Sequence, residues 1–145
     1  MPTSYMKLPY VETVLRPDSL QPIVLAAGPV GYSIDIRLNY YRGLPLSAVE
    51  HFALALDGET VPQDLILLEY NRNLYRPRDL SLAFNEFWAL KKPLRALVYQ
   101  GGLEPGEHQV ELTLILRSVY MQFGPGRWGM IDGSAKRTLL LGGAA

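Results

Sequence analysis

Tyrosine and arginine carry most of the side-chain chemistry in this sequence. Nine tyrosines are present, and Lys+Arg number 14 against 14 Asp+Glu. Tyr40-Tyr41-Arg42 sits just past an alternating apolar segment. Tyr70 to Arg78 interleaves Tyr, Asn and Arg. Tyr120-Met121-Gln122-Phe123 runs off a second alternating segment into Gly124-Pro125-Gly126-Arg127-Trp128-Gly129. Tyr, Trp, Met and Arg are enriched in protein interfaces, because they bury large area and keep a polar handle. They also stack on sugars and aromatic ligands. A single tyrosine in a sheet protein commonly just straddles core and rim. Three such clusters at strand ends, on loops, point to a binding edge. The residues expected to face a partner or substrate are Tyr40, Tyr41, Arg42, Tyr120, Met121, Gln122, Phe123, Arg127 and Trp128.

Other chemistry finds little support. There is no cysteine, which excludes disulfides, zinc-thiolate sites and a Cys nucleophile. His51 and His108 stand far apart beside strand-like segments. They read as solvent-facing or sheet-edge residues rather than metal ligands. Asp35 and Glu111 alternate opposite apolar residues, which marks a solvated strand face rather than a general acid or base. No G-x-x-x-x-G-K-[ST], H-E-x-x-H or G-x-S-x-G pattern occurs. The Pro and Trp of Gly124 to Gly129, with no helical pattern after them, argue against phosphate cradling. No catalytic constellation and no metal site is expected in this chain. The zero net charge lacks the basic excess that drives nucleic-acid binding.

The elements that must position these residues are strands. Val30, Tyr32, Ile34, Ile36, Leu38 and Tyr40 share one face, opposite Gly31, Ser33, Asp35, Arg37 and Asn39. Phe52, Leu54 and Leu56 repeat the period and run into Asp57-Gly58, a type I′ hairpin signal. Leu65 to Tyr70 and Leu94 to Tyr99 read as short strands. Val110, Leu112, Leu114, Leu116 and Tyr120 form the longest alternation, with Ser118 its polar member. Ile115 and Val119 interrupt its outer face. Thr138 to Leu141 is a candidate edge strand. Ser47 and Glu50 fit a capping box, or one turn leading into the Phe52 strand. The spacing over Leu80 to Leu90 is ambiguous. The chain has 145 residues, 48% of them hydrophobic and 19% charged, which suits one packed domain. An all-β sandwich or jelly roll of antiparallel sheets with one or two short helical turns follows. Residues 1–21 are expected to form an N-terminal arm and 22–145 the sandwich. Met1 to Gln21 lacks a signal-peptide core, and no apolar run reaches membrane-span length, which points to a cytoplasmic protein.

Tyr41-Arg42-Gly43-Leu44-Pro45-Leu46-Ser47-Ala48-Val49-Glu50, Leu56-Asp57-Gly58-Glu59 with Val61-Pro62, Gly101-Gly102-Leu103-Glu104-Pro105-Gly106-Glu107-His108-Gln109-Val110-Glu111-Leu112, and Leu116-Arg117 with Tyr120-Met121 appear in that order. Over roughly Pro29 to Phe123 the chain resembles the small β subunit of bacterial C-glycoside deglycosidases. The resemblance implies a sandwich subunit paired with a larger α subunit, a metal-dependent (β/α)-barrel similar to sugar isomerases. It implies cleavage of the C–C bond between sugar and aglycone in 3-keto C-glycosides, of the kind made from flavonoid C-glucosides. The divalent metal, manganese by this resemblance, and the acid/base residues would belong to the α subunit. The β chain would act in assembly and at the substrate entrance. Two other expectations stand beside this one. The Tyr, Trp and Arg loops suit a free-standing carbohydrate-binding sandwich. A self-sufficient enzyme built on His51 or His108 with a carboxylate ranks last.

Overall fold

The computed structural model describes residues 5–125 and 127–142, and of Met121, Gln122, Phe123 and Arg127 the backbone alone. Period-two patterning becomes strands along most of the chain. In order they are β1 (Tyr5–Met6), β2 (Leu20–Leu25), β3 (Gly28–Ile36), β4 (Leu44–Pro45), β5 (Val49–Leu56), β6 (Glu59–Thr60) and β7 (Ile66–Tyr70). They continue with β8 (Asn73–Tyr75), β9 (Phe87–Trp88), β10 (Leu94–Val98), β11 (Glu107–Gly124), β12 (Arg127–Asp132) and β13 (Ala135–Leu140). One helical turn, α1 (Val11–Val14), and 3-10 turns at Leu46–Ala48, Gln63–Leu65 and Pro77–Leu82 complete the set. The fold is all-β, as expected.

Two sheets close over one core. The first runs β1-β12-β11-β5-β6, with β13 also on β11, and the second runs β2-β3-β10-β7-β8. Pairing is antiparallel except for β1 on β12, which is parallel. Val110, Leu112, Leu114 and Leu116 on β11 and Phe52 and Leu54 on β5 supply one inner face. Tyr32, Ile34 and Ile36 on β3, Ala96 and Val98 on β10, and Ile66 and Leu68 on β7 supply the other. Asp57 and Gly58 both take positive φ, 51° and 85°, between the paired Leu56 and Glu59. That is the two-residue turn the sequence signalled.

β12 and β13 lie end to end along β11. They pair in the same register on both sides of Gly133-Ser134, with Leu112 opposite Ala135 and Ile115 opposite Asp132. The Gly133 amide donates to the Leu114 carbonyl and the Ser134 hydroxyl accepts from the Leu114 amide, so the break leaves no ladder group unpaired there. β11 thus pairs along its length with β12 and β13 laid end to end. Its register slips beyond Ser118, where the next pairs are Gln122 with Trp128 and Gly124 with Arg127.

Two expectations change. The arm over residues 1–21 is, from Val11 onward, part of the body: Val14, Leu15 and Leu20 are buried in the core. Asn39 anchors this segment. Its fully buried amide accepts from the Tyr10 N–H and donates to the Leu8 carbonyl. The Arg37 amide donates to the Val14 carbonyl, and the Arg137 guanidinium to that of Leu15. Asn39, which the alternation places opposite the apolar face, is therefore a buried fastening point. Ser47 makes no capping bond and is buried; the one-turn alternative, a 3-10 turn entering β5, is the one adopted.

Candidate functional site

β3 ends at Ile36, and the chain then crosses the far end of β11 as the loop Tyr40-Tyr41-Arg42-Gly43 before entering β4. Tyr40 stays in the core, as the alternation required. Its hydroxyl meets the Ser118 hydroxyl at 2.7 Å, and Ser118 is itself fully buried. Burial pushes the Tyr40 phenol above its ordinary value, so the hydroxyl is a fixed neutral donor or acceptor. Tyr41 turns outward, 54% exposed, with its ring centroid 4.4 Å from that of Tyr40 and tilted 52° to it.

Arg42 reaches back over the ring of Tyr120, 3.7 Å from its centroid. The Tyr120 hydroxyl donates to the Gly43 carbonyl at 3.2 Å. By its even position on β11, Tyr120 belongs to the inner face. It is 39% exposed instead. The register slip after Ser118 places extra residues on β11 there, and such a bulge re-aims side chains at a strand's end. Gly43 is the hinge of this arrangement. A Cβ on it would come within 2.6 Å of the Trp88 carbonyl and would overlap the Phe87 ring. Only glycine lets the loop pass so close to β9.

Of the residues expected to face a partner or substrate, Tyr40, Tyr41, Arg42 and Tyr120 come together at one end of the sandwich. Tyr40 is inside and acts as a support. Trp128 is 36% exposed on β12, opposite Gln122. The backbones of Met121, Gln122, Phe123 and Arg127 follow β11 and β12, and their side chains lie outside the described residues. Sequence reasoning missed Phe84 and Phe87, 72% and 53% exposed after the Pro77–Leu82 turn. Their signal was an apolar run that fits neither a helix nor a strand period. Tyr75, Asn71 and Asn73 all donate to Glu86. Those bonds hold its carboxyl below the usual range and fasten the segment that carries the two rings.

Of the two placements expected for His108, solvent-facing or sheet-edge, its burial excludes the first. Nδ1 lies 2.7 Å from Asp57 Oδ2 and Nε2 lies 2.7 Å from the Glu104 carbonyl. Both partners accept only, so the doubly protonated ring satisfies both, and the carboxylate raises the His108 pKa above its ordinary value. This histidine ties the Leu103–Glu107 turn to the β5–β6 hairpin. His51 is exposed on β5. Among the described residues, no three His, Asp or Glu come together as a metal site, and no helix is long and apolar enough to cross a membrane.

Residues 10–120 match the family model of the C-glycoside deglycosidase β subunit. The chain belongs to this family. The match begins at residue 10, so it includes the segment fastened by Asn39, and it ends at Tyr120. A C-glycoside deglycosidase β subunit of Eubacterium cellulosolvens is 32% identical over 92 residues, 63% of this chain and 63% of the relative. One of Arthrobacter globiformis is 30% identical over 102 residues, 69% of this chain and 77% of the relative. A 3′-dehydrocarminate deglycosidase β subunit of a Microbacterium species is 26% identical over 126 residues, 87% of this chain and 92% of the relative. The match thus spans less than two thirds of the Eubacterium relative's length. Within this β-subunit family, the cluster formed by Tyr41, Arg42, Gly43 and Tyr120 lies inside the matched segment, and Trp128 lies beyond it.

Proposed function

We propose that this chain is the β subunit of a cytoplasmic lyase complex that cleaves the C–C bond of 3-keto C-glycosides. In this reading the catalytic metal, manganese, and the acid/base residues stand on a sugar-isomerase-like (β/α)-barrel α subunit. The 3-ketone acidifies the C2–H of the sugar. A base takes that proton, the C–H electron pair becomes the C1–C2 double bond, and the aglycone leaves with the electrons of the broken C–C bond and is protonated. The β subunit contributes assembly and one wall of the substrate entrance. Flavonoid C-glucosides, oxidised beforehand at the sugar, are the substrates this reading favours.

The family match over residues 10–120 is the observation that carries it. The geometry supports the placement of the docking edge. Tyr41 is exposed, Arg42 is held over Tyr120, and Phe87 lies against Gly43 on the other side, so one sandwich end presents rings and a guanidinium on a fixed backbone. Rigid aromatic and arginine anchors dominate interface energetics.

Co-expression with an adjacent sugar-isomerase-like protein tests the reading. The two are expected to co-elute on size exclusion, and the pair Tyr41→Ala with Arg42→Ala is expected to weaken association at least tenfold. Separate elution of the wild-type chains sinks it. The exposed rings of Tyr41 and Trp128 favour, as a second reading, a free-standing carbohydrate-binding module. Glycoside binding by the isolated chain, unchanged by any partner, would select that one.

A further inference from the structure

Beside Tyr41, a surface groove of about 360 Å³ opens between the α1 segment, the end of β3 and the turn before β10. Tyr10, Tyr41 and Leu90 give it apolar walls, and Arg16, Arg37 and Lys91 supply its charge. Among the described residues, no Asp or Glu lines it. The whole chain has as many acids as bases, so three cations in one groove are a local concentration. Among the described residues, none of the three side chains forms an ion pair. Arg95, Arg117 and Arg76, by contrast, pair with Asp35, Glu50 and Asp79. The groove's size is that of a small-molecule site, in which apolar walls take most of the ligand and a few polar groups orient it.

We infer that this groove binds a planar aromatic carboxylate. Ring stacking on Tyr41 and Tyr10 and contact with Leu90 accept the aromatic body. Arg37 and Arg16 match a carboxylate bidentately, and Lys91 adds a point charge at the rim. This inference goes beyond the subunit reading, with which it shares the exposed ring of Tyr41.

Calorimetric titration of the full chain with 2-naphthoate, 2-naphthylmethanol and acetate tests the site. Naphthoate is expected to bind at least tenfold more tightly than the neutral alcohol, with acetate silent over the same range. Arg37→Met and, separately, the exposed Lys91→Met are each expected to weaken naphthoate roughly tenfold, about one charge-assisted hydrogen bond. Neither should change binding of the alcohol. Equal affinities for acid and alcohol, acetate as tight as naphthoate, no dependence on either cation, or no binding at all would each overturn the inference. A second arm separates the two sources of a carboxylate. Naphthoate that still binds in the presence of the α subunit supports a small-molecule site. If the α subunit displaces it, and Arg37→Met weakens the α subunit tenfold, the groove takes a partner's acidic side chain and the inference fails.

Discussion

His108 and Tyr40 show how single polar groups set the behaviour of this sandwich. The His108 pKa is raised above its ordinary value of 6.5 by the Asp57 carboxylate and the Glu104 carbonyl. The Asp57 pKa is lowered below 3.8, mainly by the bond from His108. A raised histidine stabilises the fold fully below pH 6.5, and that contribution fades as the pH climbs through its folded value. A lowered carboxylate stabilises above pH 3.8 and loses this as the pH falls through its folded value. The pair therefore acts most strongly between about pH 4 and 6.5. Urea unfolding of wild type and His108→Ala should show the largest gap in that window, about 1–2 kcal/mol because half of Asp57 faces water, and a smaller gap at pH 9. A gap independent of pH would mean that His108 acts by packing alone. Tyr40→Phe should cost about 1–3 kcal/mol, since it strands the buried Ser118 hydroxyl. Adding Ser118→Ala should recover much of that loss, measured by the urea midpoint at constant slope. Strictly additive losses would show that the two hydroxyls are not partners.

At the scale of elements, long strands were legible because a single buried face imposes period two on them. β3, β5 and β11 fall on alternations readable without coordinates, and β10 falls on the short strand read over Leu94 to Tyr99. The segments that bind the sandwich end together were not. The Leu80 to Leu90 stretch resolves into a 3-10 turn, an exposed ring at Phe84 and the two-residue β9. Such short pieces are fixed by tertiary bonds, here those of Glu86 and the Ala89 amide donating to the Tyr70 hydroxyl, and no local period encodes them. The N-terminal segment escaped notice for the same reason, since its anchor is Asn39 nearly thirty positions on, with |i−j| = 29. Tyr120 was placed on the right strand and on the wrong face, because a bulge shifts parity and leaves no residue-type signature. Gly43→Ala tests the close approach of the Tyr40–Gly43 loop to β9. It should destabilise the fold by about 1–3 kcal/mol through overpacking against Phe87 and the Trp88 carbonyl. An unchanged melting temperature would mean that β9 shifts freely and that the loop is not held in this position.

For the whole molecule, the candidate site was legible as a set of residue types and as a family resemblance, not as geometry. Tyr120 is far in sequence from the adjacent Tyr41 and Arg42, yet β11 and the loop after β3 deliver them to one end of the sandwich. The basic groove had no sequence signal, because Arg16, Arg37 and Lys91 come from three separate segments. At this scale the proposal is that the chain's chemistry belongs to a complex. The most direct measurement is turnover of a 3-keto C-glycoside by this chain alone, by the α subunit alone and by an equimolar mixture. The account predicts aglycone release by the mixture at least a hundredfold faster than by either part. Release by this chain alone at the rate of the mixture, abolished by His51→Ala or His108→Ala, would contradict it.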